Sequence, residues 1–123
     1  MSDKKATVLV IDDEASILDV LRVLLQNEGF NVIVASDGQS GLDLAKQHVP
    51  DVIILDVMMP KMSGYMVANL LAKDMYLKDI PVILLTAATH YAGNIPIEVN
   101  AKLKLSKPFQ PDVLLDALNQ VFL

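Results

Sequence analysis

Cysteine is absent from the 123 residues. Disulfides and thiolate chemistry are therefore excluded, which fits a reducing compartment. Positive charge is not in excess either. Ten Lys and Arg stand against fifteen Asp and Glu, for a net charge of −5, so a general nucleic-acid or anionic-membrane surface is not expected. No apolar run approaches the roughly 18 residues of a membrane span. The first apolar run, 6–11, is too short for a signal peptide and stops at Asp12, Asp13 and Glu14. A cytoplasmic protein is the expectation. Aromatic residues make up 5%, and Tyr65, Tyr76 and Tyr91 are too scattered to form a stacking platform. There is no internal repeat, low-complexity segment or linker. The length suits one domain over 1–123, large enough to bury roughly two thirds of its unfolded surface. The lack of a linker after Val121, Phe122 and Leu123 favours a natural end there.

What the chain has in quantity is branched apolar residues, in short runs that end on polar ones. Val52, Ile53, Ile54 and Leu55 meet Asp56; Val8, Leu9, Val10 and Ile11 meet Asp12 and Asp13; Val82, Ile83, Leu84 and Leu85 meet Thr86. A less regular run around Leu103 and Leu105 leads to Lys107 and Pro108. Apolar runs of this length read as strands buried on both faces, the habit of parallel sheets. A hydrophobic share of 53% agrees with a sheet covered on both sides.

Between the runs lie helical patterns. Ile17, Leu18, Leu21, Leu24 and Leu25 predict a helix over about 15–27, with Gly29 placed for a left-handed cap. Strand two is expected over 30–35. Asp37 is a candidate N-cap for a helix through about 47, with Leu42, Ala45 and Val49 on one face. Gly64 opens a helix expected to bury Met66, Val67, Leu70 and Leu71. Position calls for another helix over 89–100, but Gly93, Asn94 and Pro96 oppose it, so a short or irregular element is expected. Strand five is expected over 102–105, and a last helix from near Pro111 with Val113, Leu114, Ala117, Leu118 and Val121 on its apolar face.

Five βα repeats with right-handed crossovers give an α/β fold with helices on both faces of a parallel sheet. Ligands bind such sheets outside the carboxyl ends of the strands. That edge collects Asp12, Asp13, Asp56, Thr86 and Lys107. Clustered carboxylates repel by about 4 kcal/mol per pair at ~4 Å and an effective dielectric near 20, so a proton or a cation must offset them. Oxygen-only ligands suit Mg²⁺ before Ca²⁺, and no histidine lies near the edge to suggest zinc. Beside such an ion Asp56 is a candidate nucleophile toward phosphorus, with Lys107 and Thr86 placed to hold phosphoryl oxygens and backbone N–H groups after Asp56 completing the cradle. Taken singly, each residue has a plain structural role: Asp12 or Asp13 as a helix cap, Thr86 as a β residue, Lys107 as a solvated charge. The set carries the signal.

The blocks VLVIDDEASILDVLRVLL, DVIILDVMMPKMSG, IPVILLTA and SKPF resemble, in order and spacing, the signature of the receiver domain of two-component response regulators, over nearly the whole chain. The resemblance implies a flavodoxin-like, doubly wound five-stranded sheet of order 2-1-3-4-5. It implies Asp56 as phosphoacceptor, supplied from a phosphohistidine on a sensor histidine kinase or histidine phosphotransfer protein. It further implies Asp12 and Asp13 as the Mg²⁺-holding pair, Met58 as a backbone carbonyl ligand, Thr86 as the mobile hydroxyl, Lys107 as the phosphate-binding lysine and Pro108 as following an often-cis bond. Met58 and Ala88, at positions that influence hydrolysis in the family, are apolar, and slow autodephosphorylation is expected.

Two features depart from the family pattern. Lys104 stands where the family usually has Tyr or Phe, and the 89–100 segment differs from the usual helix. Both bear on readout, which is expected to involve ordering of 89–100, not an aromatic switch. The downstream protein is not identified by the sequence, and a monomer or weak dimer without direct nucleic-acid or membrane contact is expected. A pseudo-receiver not regulated by phosphorylation is the alternative. An aspartyl-phosphate phosphohydrolase is a further one, disfavoured by Met58 where those enzymes carry a second aspartate. A flavin-binding protein is disfavoured by Asp12, Asp13 and Glu14 where a phosphate loop would lie.

Overall fold

The computed structural model describes residues 5–87, 101–107 and 110–122. The strands are β1 (Thr7–Ile11), β2 (Asn31–Ala35), β3 (Val52–Asp56), β4 (Val82–Ala87) and β5 (Ala101–Lys107). The helices are α1 (Ala15–Asn27), α2 (Gly38–His48), α3 (Gly64–Lys73) and α4 (Pro111–Phe122). All strand pairings are parallel, as the apolar runs imply, and the order is β2-β1-β3-β4-β5, as the family resemblance implies. The expected helix over 89–100 and Pro108 lie outside the described residues. Lys104 is placed on β5 by its backbone.

The alternation of side chains along a strand sorts the core into two layers. Leu9, Ile11, Ile53, Leu55 and Leu84 pack with Leu42 and Ala45 of α2 and with Val67, Ala68 and Leu71 of α3. Val8, Val10, Ile54, Ile83 and Leu85 face the other way, onto Leu18, Leu21 and Leu25 of α1 and Leu114, Ala117 and Leu118 of α4. β3 lies centrally and is buried at every position, while the edge strand β2 is only half-buried through most of its length. Among the described residues no helix is long and apolar enough to cross a membrane.

The helix starts follow local chemistry. The Asp37 side chain accepts from the Ser40 backbone N–H at 2.8 Å, and that bond holds its carboxyl below the usual range. Ser63 caps α3 by accepting from Met66 N at 3.3 Å. Gly29 takes the expected left-handed turn, with φ +96°. Four expectations need correction. On α4 the buried residues are Leu114, Ala117 and Leu118, while Val113 is exposed, off the face that meets the sheet. On α3 the buried stripe is Tyr65, Val67, Ala68 and Leu71, while Met66 and Leu70 are exposed; the last two are four residues apart and share the solvent side. Val49 is exposed as well. It lies past the end of α2 with φ 45°, where the helical face no longer continues. β5 runs on through Lys107, two residues past the expected end, so Lys107 is carried by a strand and not by a loop.

Candidate functional site

The carboxyl ends of β1, β3 and β5 converge. Asp12, just past β1, has its backbone N–H fixed by Ala35 O at 3.1 Å, and its side chain is fully buried. Asp56 is the last residue of β3 and is 2% exposed. Asp13 is exposed beside them. One carboxylate oxygen from each of Asp12, Asp13 and Asp56 lies within 4.8 Å of the others, a grouping that can hold a metal ion. All three ligands are oxygen, as a hard divalent cation prefers.

Lys107 reaches into this group. Its ammonium lies 2.8 Å from Asp12 Oδ2, 3.3 Å from Asp56 Oδ1 and 3.4 Å from Glu14 Oε1. The other oxygen of Asp12, Oδ1, accepts from Glu14 N at 2.9 Å. Met58 N donates to Asp56 Oδ1 at 3.3 Å, so a backbone N–H of the following loop does cradle the carboxylate. Gly64 makes that loop possible. A Cβ there would run into the Asp56 carbonyl and come within 2.6 Å of Val57 Cα, and Gly64 N donates to Val57 O at 3.1 Å. The glycine lets α3 start directly against the end of β3.

Burial and then the nearby Asp12 charge push Asp56 up to about 6, against the opposing pull of Lys107 and of the Met58 N–H. Burial alone would lower Lys107. Its bond to Asp12, and the charges of Asp12 and Asp56, outweigh that and hold its ammonium above the ordinary lysine value. The result at neutral pH is an ionised, unusually basic carboxylate facing a fixed cation.

The structure brings together four of the residues singled out from the sequence: Asp12, Asp13, Asp56 and Lys107. Met58 contributes its N–H, and its side chain points out, half exposed. Thr86 lies one residue beyond Leu85, the strand partner of Asp56. Its hydroxyl donates to Leu105 O at 3.4 Å, toward β5 and away from the carboxylates. The contact from Glu14 to Lys107 is new. Its only trace in the sequence is the position of Glu14 next to the aspartate pair.

A family model for the response regulator receiver domain matches residues 8–119. The chain belongs to that family. Receiver domains are signalling modules that interact with histidine kinases or phosphotransfer proteins. Among similar proteins, the probable transcriptional regulator ycf27 of Guillardia theta is 44% identical over 113 residues, covering 91% of this chain and 43% of that protein. The DNA-binding response regulator MtrA of Mycobacterium tuberculosis is 34% identical over 116 residues, covering 94% of this chain and 50% of that protein. This receiver domain therefore spans about half the length of the curated relatives it matches. The chemotaxis response regulator CheY4 of Vibrio cholerae has a solved structure that superposes with a TM-score of 0.86 at 36% identity. That match covers 96% of this chain and 99% of that one.

Proposed function

We propose that residues 1–123 act as one phosphoacceptor receiver domain in which Asp56 takes a phosphoryl group from a phosphohistidine, and that the phosphorylated state alters binding to a downstream protein. The observation that carries this is the Asp56 carboxylate, buried at the end of β3 and flanked by Asp12 and Lys107. A carboxylate raised toward 6 is still ionised at neutral pH, yet more basic than usual, and so a better nucleophile. In the transfer, an oxygen lone pair of Asp56 forms the bond to phosphorus. The phosphorus–nitrogen bond of the donor breaks, and the imidazole nitrogen keeps the electron pair.

Asp12, Asp13 and Asp56, with the Met58 backbone carbonyl, are the residues that would hold Mg²⁺, and their oxygen-only donor set fits it. Bound there, the ion would neutralise charge on the transferring group. Lys107 holds a phosphoryl oxygen as a point charge. Thr86 leaves Leu105 O to donate to another. The donor is a sensor histidine kinase or histidine phosphotransfer protein, and the domain acts as a switch or relay without turning over a small substrate of its own. The domain is a cytoplasmic module, monomeric or weakly dimeric, and its net charge of −5 supports its not itself contacting nucleic acid.

The test is intact mass after incubation with acetyl phosphate, with and without Mg²⁺, on wild type and Asp56→Asn. A Mg²⁺-dependent phosphoryl adduct on wild type alone is expected. An adduct that persists in Asp56→Asn, or none on folded wild type, would refute the assignment.

A further inference from the structure

Glu14 has no part in the transfer described above and lies outside the three carboxylates grouped for a metal ion. Its main chain is fixed. Its N–H donates to Asp12 Oδ1, and its carbonyl accepts from Ile17 N and Leu18 N, both at 3.1 Å, as α1 begins. Its side chain makes no cap bond. It reaches instead across the sheet edge to Lys107, 93 residues away in the sequence. The other two partners of Lys107 are buried, whereas the Glu14 side chain is 58% exposed. Glu14 is thus the solvent-side carboxylate among the partners of Lys107, on the rim that a phosphoryl donor must pass.

With Asp12, Asp13 and Asp56 ionised, the charge of Lys107 and of one divalent cation just balances them. Glu14 is then what keeps the mouth of the site negative. A fixed charge on a rim acts on an approaching ligand in proportion to the charge that ligand carries, and salt screens it. We propose that Glu14 is a specificity-determining residue for the phosphoryl donor: its rim carboxylate disfavours small acyl phosphates, which are dianions at neutral pH, relative to donors of lower charge. The proposal rests on Asp56 being the acceptor.

The experiment compares Mg²⁺-dependent phosphorylation rates, read by intact mass, with acetyl phosphate as the dianion and phosphoramidate as the monoanion. Wild type, Glu14→Gln and Glu14→Asp are compared. Glu14→Gln is expected to raise the acetyl phosphate rate about fivefold and the phosphoramidate rate about twofold, and both gains should shrink as ionic strength rises from about 0.02 to about 0.5 M. Glu14→Asp keeps the charge and should keep the wild-type ratio between donors. Equal factors for the two donors in Glu14→Gln, or no change with either, would overturn the proposal, since a mere tether on Lys107 cannot tell the donors apart. Wild type unmodified by both donors would instead defeat the reading of Asp56, and this inference with it.

Discussion

Asp51 and Asp56 bracket the same strand, β3. At the amino end, Asp51 is exposed, its Oδ2 accepts from Thr7 N at 2.7 Å, and its own N–H donates to Thr7 O at 2.9 Å. It staples the start of β1 to the start of β3 and is otherwise solvated. At the carboxyl end, Asp56 is closed in between the helical layers, against a second buried carboxylate and an ammonium. The residue type is the same and the strand is the same. What differs is the depth at which each end emerges from the layers, and at Asp56 that depth raises the carboxyl to about 6.

That contrast can be broken most severely at Lys107. Lys107→Met removes the cation from a fully buried Asp12 and a nearly buried Asp56. Leaving buried charge uncompensated is expected to cost about 3 kcal/mol in urea unfolding of metal-free protein at pH 7.5. A loss under about 1 kcal/mol would mean that water already solvates this end of the sheet as it does the other.

Asp56→Asn should act in the opposite direction, and only above a certain pH. Asp56 is raised from 3.8 to about 6 in the folded state. Between those values the folded protein holds a proton that the unfolded chain has released. The stability from this group is therefore fully present below the unfolded value and is lost as pH rises through about 6. Asn, which cannot ionise, should stabilise the metal-free protein by up to about 3 kcal/mol at pH 7.5 and by little at pH 4. Thermal unfolding of both proteins across pH 4–8 checks this, and a constant difference across that range would count against the raised value.

The smallest effect belongs to the other end of the strand. Asp51→Asn retains an acceptor for Thr7 N and loses only an exposed charge, so it should cost about 0.5–1 kcal/mol with no pH dependence like that of Asp56. A larger loss, measured by the same denaturation, would show that the bracket at the amino end is worth more than its exposure suggests.

The three central strands, β1, β3 and β4, were legible because they are written as uninterrupted branched runs, and the site because each run stops on a polar residue. Burial on both faces dictates the first. The rule that ligands gather at carboxyl ends picks out the second. Faces of helices were harder to read. Met66 and Leu70 look as apolar as Val67 and Leu71, and only the approach of the sheet decides which pair is covered. Side-chain direction was not legible either. Thr86 was placed correctly in the chain, but its bond to Leu105 O depends on how β5 lies beside β4. The reach of Glu14 to Lys107 needs β5 and the start of α1 to be set at one edge, which no local pattern states.

The bond between Lys107 and Asp12 joins residues 95 apart in the sequence. During synthesis β1 and β3 emerge early with their carboxylates, and the ammonium that compensates them leaves the ribosome only with β5. Contacts this distant close late, after most of the loop entropy has been lost. A nascent chain or a proteolytic fragment ending before Lys107 would hold two carboxylates that have reason to stay in water, and its central strands would resist docking. The last strand thus brings the cation that offsets a buried charge at the end of the first.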